Sequence, residues 1–215
     1  MFNFVPNLVM DWNEKQIQIL EVAEKLFAEN GFDGTSVRQI SKEADVNVAM
    51  ISYYFGSKEK MLEALLDYRL ADFKIQIESI LSKETKYLEK IDEIVALVVM
   101  RVHKNRRTHK IVNFEYSKDS RNISFENYLK QKNENFKVIE AFVKKGQSEG
   151  VFSKELNIPL IVPTILGTYF HFYYNKKFYM ALHSLPDDVS LDEFVHKTLT
   201  KHIQQTIKAL LTYAN

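Results

Sequence analysis

Proline is missing from Asn7 through Ile158, and within that stretch glycine occurs only at Gly31, Gly34, Gly56, Gly146 and Gly150. Inside a helix glycine costs roughly 1 kcal/mol and proline about 3 kcal/mol, so a stretch so poor in both can be helical almost throughout, with the glycines as stops. The expected fold class is all-α. A length of 215 residues lies between one and two domains of roughly 150 residues each, which fits a small head followed by a larger body. With 46% hydrophobic and 27% charged residues the chain can bury a core and carries no signature of disorder.

The helices can be placed by periodicity and caps. Ile19, Leu20, Ala23, Leu26 and Phe27 recur at three- to four-residue spacing and stop at Asn30-Gly31, a pair suited to the left-handed end of a helix. Ser36 with Gln39 three residues on reads as a capping box, and Val37, Ile40 and Ala44 form the buried stripe of a second helix. After a short break at Asp45-Val46-Asn47, Asn47 can cap a third helix through Phe55. Gly56-Ser57 ends it, and Ser57 caps a fourth, whose apolar positions Met61, Leu62, Leu65, Leu66, Leu70 and Phe73 hold phase into the body. Ile91, Ile94, Val95, Val98 and Val102 mark another helix, although Val95–Val99 alone could pass for a buried strand. Further helices are expected over Phe125–Gly146, Leu160–His183 and Leu191–Tyr213, the last begun by Ser190 with acidic Asp192 and Glu193 in its first turn.

Two short helices joined by a tight turn form a helix-turn-helix, in which the second helix lies in the major groove with its N-terminal residues at base edges. The residue types suit that task. Val48 and Ala49 are short enough to let the helix approach the bases and can touch a thymine methyl, while Tyr53 and Tyr54 offer hydroxyl donors to phosphate and Lys58 adds a cation. Bulk charge argues the other way: from Met1 to Ser57 there are four basic residues (Lys15, Lys25, Arg38, Lys42) against eight acidic ones, and the whole chain has a net charge of +1. The DNA reading therefore rests on motif and placement.

The stretch ILEVAEKLFAENGF (Ile19–Phe32), followed by TSVRQISKEADVNVAMISYYFGSKEKML, closely resembles the DNA-binding domain of the tetracycline-repressor (TetR) family. In that family a tyrosine-aromatic-Phe run, followed three residues after the Phe by Lys, ends the recognition helix; Tyr53, Tyr54, Phe55 and Lys58 match it, with Phe55 assigned to the core in phase with Ile51. Arg38 matches a position from which some members reach a base or a phosphate. The resemblance implies a helix-turn-helix domain over residues 13–57 and a divergent helical effector-binding and dimerisation domain over 58–215. The candidate DNA contacts are Thr35, Ser36, Arg38, Asn47, Val48, Ala49, Ser52, Tyr53, Tyr54 and Lys58. Two positions depart from the family pattern. Asp45 stands where a turn glycine is usual, and aspartate tolerates the left-handed conformation better than most residues. Ser52 replaces a first phosphate-binding tyrosine and has shorter reach.

In the body the aromatic run from Tyr169 to Tyr174, with Phe178 and Tyr179, goes all the way around a helix, so some of its rings should line a cavity or a subunit interface. His103, Phe114, Tyr169, Phe170 and Tyr173 are the candidate ligand-binding residues for a small apolar or aromatic effector. A homodimer contact is expected largely from the last two long helices, Leu160–His183 and Leu191–Tyr213, notably from Val195, Leu199, Ile203, Ile207 and Leu210 on the final one. The basic run from Arg101 to Lys110 is read as solvated residues at a helix C-terminus. The six histidines include no pair four apart and no carboxylate cluster of metal-ligand type, so neither metal nor cofactor is expected. Cysteine is absent, and there is no nucleophile elbow or phosphate-cradling glycine loop, so an enzyme finds little support. The most apolar segment, Ile158–Tyr174, contains Pro159, Pro163 and His171 and falls short of the ~20 residues a membrane span needs. The N-terminus has no basic region or cleavage site of a signal peptide, and a cytoplasmic protein is expected. The function expected is a homodimeric repressor released by its ligand from a palindromic DNA operator; an activator, or a regulator controlled by a protein partner, is the alternative on the same fold.

Overall fold

In the computed structural model, which describes residues 12–117 and 123–213, every regular element is a helix. The described residues fall into two compact units. One lies within Met1–Lys74 and Asn105–Asn135, the other within Ile75–Lys104 and Phe136–Asn215.

The first unit contains α1 (Glu14–Asn30), α2 (Val37–Glu43), α3 (Val48–Phe55), α4 (Lys58–Leu70), α7 (Arg106–Tyr116) and the first turns of α8 (Glu126–Ser148). Each early helix starts on a side-chain cap. Asn13 and Ser36 form capping boxes with Gln16 and Gln39, while the Asn47 and Ser57 side chains accept from the amides of Met50 and Lys60. A single core gathers Ile19, Leu20 and Phe27 of α1, Ile40 of α2, Ile51 and Phe55 of α3, Leu62, Leu65 and Leu66 of α4, and Ile111 of α7. The turn between α2 and α3 carries Asp45 at φ 48°, in the left-handed region, and is closed by Val46 N donating to Ser41 O at 3.0 Å and Ser41 Oγ donating to Val46 O at 2.6 Å.

The second unit is built on α6 (Tyr87–Lys104) and α12 (Thr200–Thr212), with α5 (Phe73–Leu81), α9 (Ile161–Tyr174), α10 (Lys176–Leu182), α11 (Asp188–Phe194) and the rest of α8 around them. Val95–Val99 lies wholly within α6 and is helical. Gln204 Nε2 donates to Asp92 O at 2.9 Å and Lys208 Nζ to Asp92 Oδ2 at 2.8 Å, tying α12 to α6.

Three expected helices differ. The fourth does not run on through Phe73: α4 stops at Leu70 and α5 begins at Phe73, because Leu66 belongs to the first core while the next fully buried residue, Ile77, belongs to the second unit. Leu160–His183 is two helices, parted at Asn175, whose side-chain amide donates to His171 O at 2.8 Å and competes with the helical backbone pattern there. The final helix starts earlier than Ser190. Asp187 is its cap and Ser190 the reciprocal partner, and a π-helical segment, Val195–Leu199, joins α11 to α12. Val195, Leu199, Ile203 and Ile207 are buried within the chain, so of the five apolar positions expected at a subunit contact only Leu210 is exposed.

The left-handed residue gives a direct test of the turn. Asp45→Gly should leave the unfolding free energy unchanged or slightly raised, whereas Asp45→Val should lower it by roughly 1–2 kcal/mol, because a β-branched side chain is the worst occupant of this region. Urea denaturation of the two variants checks this.

Candidate nucleic-acid interface

Helix α3 has two faces set by two residues. Ile51 and Phe55, one turn apart, are 2% and 6% exposed and anchor it in the core, which turns Asn47, Val48, Ala49, Ser52 and Tyr53 outward. Tyr53 is 85% exposed, its hydroxyl at the end of a ring that packs edge-on against Tyr54 at 5.4 Å. Tyr54 is half-buried against the core and meets Phe55 at 6.2 Å, so of the two tyrosines Tyr53 has the freer reach. The Ser52 hydroxyl donates to Val48 O at 3.2 Å while its side chain stays exposed. Arg38, on the exposed side of α2, has no ion-pair partner among the described residues.

Two of the expected contacts have their hydroxyls engaged within the protein. Thr35 is 1% exposed and its hydroxyl donates to the carbonyls of Leu26 at 3.0 Å and Gly31 at 2.8 Å, bracing the end of α1. Ser36 is exposed, but its hydroxyl accepts from the Gln39 amide as the cap of α2. The Lys58 ammonium donates to Phe32 O at 2.8 Å and Thr35 O at 2.9 Å and sits 4.3 Å from the centre of the Phe32 ring. Two of its three N–H donors are thus spent on the connection between α1 and α2, leaving one for a ligand.

In the second unit the structure brings together four of the candidate ligand residues and adds two that sequence reasoning passed over. His103, buried on α6, has Nδ1 2.8 Å from the Tyr169 hydroxyl of α9 and Nε2 2.9 Å from Asp192 Oδ1 of α11. A neutral imidazole meets both by donating from Nε2 and accepting at Nδ1. Tyr173 stacks on Tyr169 at 5.9 Å, Phe170 packs edge-on against Tyr169 at 5.2 Å, and His196 lies edge-on to His103 at 6.0 Å. Asp192 and His196 are four apart in sequence, one turn on the same helical face, a spacing that could have flagged the pair. Phe114 is not part of this cluster; it belongs to the first unit and is 54% exposed. The basic run splits between two helices, with Arg101, His103 and Lys104 in the last turn of α6 and Arg106 opening α7. Among the described residues no group of three or more histidine or carboxylate side chains is placed to hold a metal, and no helix is long and apolar enough to cross a membrane.

A short capped helix with a buried back and a polar, hydroxyl-bearing front, preceded by a second short helix across a tight turn, defines a helix-turn-helix DNA-binding protein. Residues 19–65 match the DNA-binding region of bacterial regulatory proteins of the tetR family. The protein named "Probable HTH-type transcriptional regulator YttP" of Bacillus subtilis is 32% identical over 148 residues, which cover 66% of this chain and 68% of that protein. The repressor NicS of Pseudomonas putida is 47% identical over 55 residues, about a quarter of each chain (26%). Among solved structures, a tetR-family regulatory protein from Rhodococcus superposes with a TM-score of 0.73 at 15% identity, covering 95% of this chain and 100% of that one. FadR from Bacillus subtilis, solved with stearoyl-CoA, does so at 0.64 and 18%, covering 91% and 98%. The chain belongs to the tetracycline-repressor family and is a transcriptional regulator, as its relatives are, rather than an enzyme.

The bonds of Lys58 predict a role that needs no DNA. Lys58→Ala should lower the unfolding free energy by about 1–2 kcal/mol, since charge-assisted hydrogen bonds are worth roughly 1.5–3 kcal/mol and this side chain is only partly buried. Denaturant titration of the free protein measures it; an unchanged midpoint would leave Lys58 to phosphate alone.

Proposed function

We propose that this regulator is a homodimeric repressor that binds a palindromic operator and is released by a small apolar or aromatic ligand. What carries the DNA part is the outward row Asn47, Val48, Ala49, Ser52 and Tyr53, held by the burial of Ile51 and Phe55. Val48 and Ala49 meet base edges, Tyr53 and Ser52 take phosphate oxygens, Arg38 supports them from α2, and Lys58 offers its remaining N–H to the backbone. Tyr54 and Ser36 stand at the margin of this surface, and Thr35 acts through the turn it braces.

The dimer is supported by apolar surface on α9 and α10. Tyr174, Phe178 and Leu182 are spaced four apart and are 55%, 62% and 60% exposed, and α10 has no buried residue of its own. A stripe of this kind at the end of a helical body suits a two-fold contact, which in turn calls for two half-sites about one helical turn apart. The effector is supported by the His103, Tyr169, Tyr173 and Phe170 cluster, where stacked rings surround a few orienting polar groups. The stearoyl-CoA bound by FadR, a protein of the same fold, is a ligand with a long apolar chain and accords with that chemistry.

Selection of duplexes from a random library, followed by footprinting, tests the reading, and a non-palindromic site or no selected site would overturn it. On the selected site Arg38→Ala should cost roughly 1–3 kcal/mol and relax specificity at one position per half-site if the guanidinium reads a base. Equal losses on all sequences would make it a backbone contact. For release, any thermal-shift hit from a metabolite screen should bind more weakly in the presence of operator by the same factor by which it weakens operator binding.

A further inference from the structure

Helix α7 begins without a cap of its own. Asn105 stands at its N-cap position, but its backbone is at φ −103° and ψ 28° and its side chain makes no cap hydrogen bond. Among the other asparagine caps of the described residues, Asn13 and Asn47 have ψ 161° and 156° and both accept from an amide three residues on, whereas Asn175, which like Asn105 parts two successive helices, has φ −102° and ψ 24° and makes no cap bond. The amide equivalent to the ones that Asn13 and Asn47 hold is, in α7, that of Thr108, and it is satisfied from another helix. Glu24 of α1 accepts at Oε1 from Thr108 N at 3.1 Å and from Thr108 Oγ1 at 2.5 Å, while Oε2 accepts from Arg69 Nε at 3.2 Å and from Arg69 Nη2. Four donors from α4 and α7 thus converge on one carboxylate that is 6% exposed. Beyond it Lys110 Nζ donates at 2.6 Å to Ala28 O, in the last turn of α1 where helical carbonyls lack partners.

A cap supplied from another helix lasts only while the two helices stay together. Asparagine is among the best N-caps, so the chain holds two acceptors for one amide. We propose that Glu24 and Asn105 compete for the first turn of α7, and that exchange of the Glu24 cap for the Asn105 cap is the step that frees the reading head from α7. With Glu24 in place, α1, α4 and α7 are held as one piece. With Asn105 in place, α7 carries its own cap, the carboxylate keeps Arg69, and the Thr108 hydroxyl, which loses Glu24, turns to a carbonyl one turn back as a helical threonine can, so both arrangements keep their donors paired, which is what a two-state element requires. The exchange turns on a single torsion, the ψ of Asn105. That residue follows the last turn of α6, two positions after His103. Use of the exchange as a release step rests on the reading of the chain as an effector-released regulator; the competition itself does not.

The test uses the full-length protein and two readouts, hydrogen exchange at the Thr108 amide and affinity for a duplex selected by the wild type. Asn105→Ala should leave Thr108 protection unchanged, because Asn105 is idle as a cap in this state. Glu24→Gln, which offers a single acceptor oxygen where four donors meet, should lower protection only in part, and adding Asn105→Ala to it should lower protection by on the order of a further 5-fold, since an N-cap is worth typically about 1 kcal/mol. A double variant no worse than Glu24→Gln, or a single Asn105→Ala that already loses the protection, overturns the competition. If Glu24→Gln fails to fold, Asn105→Asp leaves the buried carboxylate intact and strengthens the competing cap; it should weaken duplex binding by on the order of 5-fold with the fold retained. Unchanged or tighter binding by Asn105→Asp overturns the release step. A wild-type protein that selects no duplex would remove the regulatory reading, and the exchange data would still decide the competition.

Discussion

The burial of Ile51 and Phe55 is the constraint on which the reading surface depends. An isolated helix of eight residues is not stable in water, where about 12–15 residues are marginal even for good helix formers, so α3 exists because its apolar face is taken up by α1, α2 and α4. The same burial sets the rotation of the helix. Once Ile51 and Phe55 point inward, the 3.6-residue period leaves Val48, Ala49 and Ser52 no choice but to point out. The core of the first unit and its DNA-facing surface are therefore one arrangement seen from two sides.

Polar groups then fix what packing alone would leave loose. Lys58 and Thr35 both bond to carbonyls around the end of α1, Ser41 closes the next turn, and the Glu24 carboxylate gathers donors from α4 and α7. Buried groups of this kind add little net stability when paired but cost much when left unpaired, so they favour one geometry over near alternatives. The second unit uses the same device at His103, where one buried ring is matched on both nitrogens by Tyr169 and Asp192 from two other helices. In both units the paired groups come from separate helices, so a change at one helix must be answered by the others.

Much of the head was legible because its information is local. Caps at Ser36, Asn47 and Ser57, the stop at Gly31, the left-handed Asp45 and the inward phase of Ile51 and Phe55 all follow from residues within one or two turns of each other, and the structure places them as expected. Periodicity served less well in the body. It ran α4 into α5 and α9 into α10, because apolar phase continues across Ala71-Asp72, where the core being filled changes, and across Asn175, beyond which α10 buries no residue. It also put Val195, Leu199, Ile203 and Ile207 at a subunit contact, since an apolar stripe does not say whether its partner lies in the same chain.

By itself the sequence determined the all-helical class, the helix-turn-helix with its caps, and the side chains on the outward face of its second helix, because these depend on short-range backbone preferences and on a period that can be counted. Tertiary structure alone decided that the Thr35 hydroxyl is buried on two carbonyls, that Lys58 is largely committed to two others, and that His103 meets Asp192, 89 positions away. It alone decided, too, that α7 takes its cap from Glu24, 84 positions before Thr108. The physical reason is the same in each case: a polar side chain takes the partner that packing brings within about 3 Å, and no local rule in the chain records which distant residue that will be.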